Sequence, residues 1–117
     1  MTTYSSVLLS ESTDGRPIQL GATAVALHTA GTASGTHDEI HLFAANGATH
    51  DSVLFVNIGA TTVGRQVVFT VPTKDGAYTI LPGVRVTSSL ALTAHLGTTS
   101  SSTGVVVAFG HVNRIST

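Results

Sequence analysis

The sequence has no cysteine and no tryptophan, and charged residues fill only 9% of its 117 positions, against about 25% in an average globular protein. Without cysteine there is neither a disulfide framework nor a thiolate metal site. Five basic residues, spread along the chain, give no electrostatic footprint for nucleic acid. No apolar run approaches the ~18 residues that a membrane-spanning helix needs. Met1-Thr2-Thr3-Tyr4 lacks the charged and apolar regions of a signal peptide. Two tyrosines and four phenylalanines are all the aromatics, which leaves little for stacking on a sugar ring.

What remains is small, hydroxylated and β-branched. Serine and threonine together number 31, with 14 valines and 12 glycines. Valine, isoleucine and threonine favour pleated structure. At 42% hydrophobic, with a net charge of −1, the composition is the reverse of the disordered signature. One domain of this size buries roughly 65% of its unfolded surface, enough for a modest core. Charge supports solubility and opposes association. A surface this poor in charge therefore reads as an assembly surface.

The pass along the chain gives eight or nine short strands. Val7-Leu8-Leu9, Ile18-Gln19-Leu20 and Ala24–His28 come first, the last with a short helix as the alternative. Ile40–Ala44, Asp51–Ile58 and Gln66–Val71 follow, with Asn46-Gly47 as a turn signal between the first two. Ala77–Ile80 and Val84–Thr87 flank Leu81-Pro82-Gly83, where the Pro-Gly pair predicts a turn. Leu90–Leu96 places Leu90, Leu92, Ala94 and Leu96 on one face. Gly97–Thr103 reads as a polar loop, and Gly104–Asn113 as a central strand buried on both faces. Turn signals every eight to twelve residues predict an all-β antiparallel sandwich, jelly-roll-like, with an Ig-like arrangement as the alternative. The predicted organisation is an N-terminal arm over 1–6 and a sandwich domain over 7–117.

Chemistry is sparse. His37, Glu39 and His41 would line one face of a strand and could approach a metal, but the bland reading is a polar strand edge. Four of the six acids, Asp14, Asp38, Asp51 and Asp75, read as turn or loop-edge residues. Ser, His and Asp recur too often for their co-occurrence to signal a nucleophilic triad. No nucleophile elbow, phosphate loop or dinucleotide fingerprint is present. The expectation is no catalytic residue, no metal and no cofactor. Phe43, Phe55, Phe69 and Phe109 fall inside strand patterns and read as core.

Three segments resemble a group of small tailed-bacteriophage virion proteins: Asp38–Asn46, Ile80–Val86 and Val105–Ile115. They span the chain from about residue 38 to the end. The resemblance implies a head decoration or cement protein. Such a protein is a homotrimeric β-sandwich that binds major capsid protein on the capsid surface, after assembly in the host cytoplasm. Nucleic acid and membrane are not expected as partners, and a low-copy neck, tail or spike component or a receptor- or carbohydrate-binding module is the alternative. Thr2, Thr3, Tyr4 and Ser5 are candidate interface residues as an extended arm that adds to a neighbour's sheet. Arg85 and Arg114 are candidates for charge-assisted hydrogen bonds across an interface. For both arginines the competing reading is a cap on the protein's own loops.

Overall fold

The computed structural model describes residues 2–12, 14–31, 34–47, 50–59, 65–73, 76–87, 89–97 and 106–116. Nine strands run in chain order: β1 (Thr3–Leu8), β2 (Ile18–Gln19), β3 (Val25–Thr29), β4 (Thr36–Asn46), β5 (Ser52–Ile58), β6 (Gln66–Val71), β7 (Ala77–Val86), β8 (Ala91–Leu96) and β9 (Val106–Ser116). No α-helix occurs among the described residues. One antiparallel sheet has the order β1-β9-β4-β7, with β2 also on β9, and the other has the order β3-β8-β5-β6. From β2 to β5 the chain changes sheet at every connection. With β1 and β2 counted as two pieces of one strand beside β9, this is the order of an eight-stranded jelly roll. It is the sandwich that the turn spacing predicted.

The core lies between the sheets. Period-two alternation in β4 turns Ile40, Leu42 and Ala44 inward, where they join Leu54 and Val56 of β5, Leu92, Ala94 and Leu96 of β8, and Ala108 and Val112 of β9 in one cluster. The same alternation corrects the reading of the phenylalanines. Phe43 and Phe55 sit between buried neighbours, and Phe109 lies opposite Phe43, so all three point outward, half-buried, while of the four only Phe69 packs against the core.

Three turn or loop readings are corrected. Asn46-Gly47 does not close a hairpin, because β4 and β5 belong to different sheets. Pro82-Gly83 is not a turn. β7 runs through it as one edge strand, with register shifts opposite Ile40/His41 and Leu42/Phe43. An edge strand tolerates a residue without an N–H, and Gly83 absorbs the irregularity at a φ of 98°. Asp38 is no loop-edge residue but lies in β4, fully buried. The helix alternative for Ala24–His28 gives way to β3, which carries a bulge between Ala26 and His28. Residues 3–6 of the predicted arm form β1 with Val7 and Leu8 on β9, so the boundary placed after Ser6 falls inside one strand. The Lys74-Asp75 turn and positions 98–103 of the polar loop lie outside the described residues.

Candidate interaction face

The outer side of the five-stranded sheet is built in rows, because antiparallel register sets side chains on neighbouring strands opposite one another. One row runs Leu8–His111–His41–Pro82 across β1, β9, β4 and β7. Its imidazoles are stacked, with ring centroids 4.8 Å apart and planes 9° from parallel. The next row toward the C-terminal end of β4 holds Phe109, Phe43 and Thr79, and the two phenyl rings stack at 5.8 Å. On the other side lies Ser6–Asn113–Glu39–Arg85. Here Glu39 Oε1 is 3.1 Å from His41 Nε2, and Arg85 Nε is 3.6 Å from Glu39 Oε2. The hydrogen bond from His41 is the main cause that holds the Glu39 carboxyl below its ordinary range, with smaller help from Asn113 and Arg85. Gly83 keeps this corner open: a Cβ there would lie 3.3 Å from the His41 ring.

Several of the residues singled out from the sequence meet here, although the register that unites them was not legible. Tyr4, Ser5 and Arg85 line an open cleft of about 370 Å³ together with Glu39 and Asn113. Tyr4 is 72% exposed and Leu8 is 45% exposed. Thr2 and Thr3 are exposed at the start of the same edge. His37, Glu39 and His41 do share the outer side of β4, yet no group of three metal-ligating side chains forms among the described residues.

Arg114 belongs elsewhere. It points into the sandwich and clasps Asp38 with two bonds, Nε to Oδ1 at 2.8 Å and Nη2 to Oδ2 at 2.9 Å. Its partner lies in its own chain but is a buried strand residue of β4, not a loop that it caps. His28 Nε2 reaches the same carboxylate at 2.7 Å. Its Nδ1 accepts the Ser10 backbone N–H at 3.0 Å, so the proton sits on Nε2 and is donated to Asp38. Ser10 Oγ lies 2.8 Å from the same Nδ1. Serine, histidine and aspartate are thus in line, but the arrangement is poorly suited to nucleophilic activation. The Nδ1 lone pair already holds a backbone N–H, and the carboxylate is neutralised by Arg114. The bidentate guanidinium is the largest influence on Asp38 and lowers its pKa to about 2, against the opposing effect of burial. This cluster ties the segment after β1 to β3, β4 and β9. Sequence reasoning missed it, although Asp38 is in phase with Ile40 and Leu42, and Arg114 with Val112.

The other sheet's outer face has a polar cluster and a ring stack of its own. Asn57, 1% exposed, accepts from Gln66 Nε2 at 2.9 Å and donates to Thr93 Oγ1 at 3.0 Å. Phe55 stacks on His95 at 4.9 Å.

No family model and no curated protein matches the chain. Among solved structures, a chain from "Bacillus endospore appendages form a novel family of disulfide-linked pili" shares the fold, with a TM-score of 0.52 and 13% identity over 97% of this chain and 85% of that one. A likeness at that identity concerns architecture alone.

Proposed function

We propose that this protein is a structural subunit of a multi-copy protein assembly, acting as a decoration or cement protein that binds major capsid protein on a phage head. The observation that supports the structural reading is the outer face of the five-stranded sheet. Its rows of stacked Phe and His rings, with exposed Tyr4 and Leu8 beside them, form a broad neutral surface on a chain with 9% charged residues. Surfaces enriched in aromatic rings and poor in charge are typical of protein–protein interfaces. Small contacts repeated over many symmetric copies add through multivalency. The capsid setting rests on the three segments that resemble phage virion proteins.

A second setting is a filament, since the neighbour of like fold comes from pili. Those pili are described as disulfide-linked, and a chain with no cysteine has no such link to make. The test is the copy number of this chain in purified particles, by quantitative mass spectrometry against the major capsid protein. Hundreds of copies in fixed ratio are expected. A dozen or fewer would move the protein to the neck, tail or spike. Absence from particles, with filaments formed by the purified chain in electron micrographs, would replace the capsid by a fibre.

A further inference from the structure

We propose that the outer face of the five-stranded sheet packs against the same face of a second copy of this chain, about a two-fold axis running along the strands between β4 and β9. The inference deepens the assembly reading above and rests on it. The rows differ in polarity from one edge of the sheet to the other. Such an axis reverses the strand order, so that β1 faces the partner's β7 and β9 faces the partner's β4. In the row Ser6–Asn113–Glu39–Arg85, Asn113 then meets the second copy's Glu39, an amide donor against a carboxylate. Arg85, whose side chain is 65% exposed, meets the second copy's Ser6, a guanidinium donor against a hydroxyl. In the row Leu8–His111–His41–Pro82 the apolar ends meet each other and imidazole meets imidazole. In the next row Phe109 faces Phe43.

In these three rows the amide and the guanidinium meet acceptors and the phenyl rings meet each other, the pairing an isologous interface requires, while in the row Tyr4–Ile115–His37 the imidazole meets the second copy's Ile115. A slip by one row along the strands turns the two-fold into an open screw and sets the Arg85 guanidinium over the second copy's Leu8. Moving the axis to between β4 and β7 leaves Phe109, His111 and Leu8 uncovered. The size is also adequate. Strands about 4.8 Å apart, rising about 3.3 Å per residue over their own lengths, outline roughly 600 Å². Two such faces bury roughly 1,200 Å², at the lower end of specific stable interfaces. The face carries one acid and one base, so it offers no net charge to a strongly acidic or basic partner.

The experiment uses sedimentation velocity on the full chain over a wide concentration range. A dimer is expected, alone or within a larger oligomer. Phe109→Glu should weaken that contact at least 100-fold while the melting curve by circular dichroism stays cooperative. Because the chain has no cysteine, single-cysteine variants give a reading that does not depend on Phe109→Glu folding. A mixture of His41→Cys and His111→Cys should form the mixed disulfide dimer under mild oxidation. A mixture of His41→Cys with Val68→Cys, on the opposite sheet and 56% exposed, should not. Oligomers that ignore Phe109→Glu and cross-link through Val68→Cys would overturn the face assignment and leave the assembly reading standing. A chain that is monomeric at every concentration overturns the second-copy proposal. If that monomer still binds capsids in fixed ratio the assembly reading survives, and if it does not, both fall.

Discussion

Asp38→Asn is expected to cost about 3 kcal/mol of folding stability, read from urea unfolding, because it leaves buried partners without their counter-charge. The Asp38 carboxylate has no solvent exposure, and three donors converge on it: two from Arg114 and one from His28. An asparagine of the same shape has one oxygen to offer. Its amide N–H groups would oppose a guanidinium N–H in either orientation, and the imidazole N–H as well in one of them. The Arg114 side chain is 35% exposed and can recover some water, which holds the loss toward the lower end of buried-pair penalties. Arg114→Lys should cost less, about 1–2 kcal/mol, since an ammonium keeps the charge but not the paired bonds.

The same carboxylate sets an acid limb in the stability profile. Folding lowers its pKa from 3.8 to about 2. A depressed carboxylate adds stability that is complete above its unfolded value. That stability is lost as pH falls through the folded one, so the window runs from about pH 4 down to about pH 2. The amount is on the order of 2 kcal/mol. Asp38→Asn should flatten this part of the curve. The Asp14–Arg16 pair, with side chains 50% and 76% exposed, is a surface ion pair and adds little to the slope. A slope unchanged in Asp38→Asn would remove the buried clasp from the account.

The elements legible in the sequence were those whose pattern is local. β6 was read at its bounds, Gln66–Val71, because β-branched residues run up to Pro72. β8 was read with its buried face, because Leu92, Ala94 and Leu96 alternate with polar neighbours. The failures have a common cause, which is that partners lie far apart in the chain. A Pro-Gly pair is a strong turn signal until the strand carrying it lies at a sheet edge. Phenylalanine reads as core until the phase of Ile40, Leu42 and Ala44 places Phe43 on the other side. Asp38 and Arg114 are 76 positions apart, and only the β4–β9 register brings them together. The interaction face was half legible. Tyr4, Ser5 and Arg85 were picked from composition and segment, while the rows joining them to Glu39, His41 and His111 are a product of register.

Gly110→Ala is expected to lower stability by at least about 3 kcal/mol, with a fall in melting temperature of roughly 10–15 °C for a chain of this size. Gly110 stands opposite Leu42 where β9 passes β4. A Cβ there would collide with the carbonyl oxygen of His41. It would also lie 3.0 Å from that carbonyl carbon and 3.2 Å from Leu42 Cα. These atoms are backbone of a central strand, so no rotamer change relieves the clash, and the two strands must separate. Gly97→Ala is the matched control. Its Cβ would meet Val53 at 3.4 Å and Phe55 at 3.5 Å, contacts a side chain can accommodate, and the expected cost is under about 1 kcal/mol. The consequence reaches the outer face. The close pass at Gly110 is what holds His111 in register with His41, one residue away on each strand, and so sets the 4.8 Å ring stack. Parting β9 from β4 should therefore weaken self-association as well as folding, measured by sedimentation at a temperature where the variant is still folded. A folded Gly110→Ala that associates as tightly as the parent would show that the His41–His111 row does not contribute to the contact.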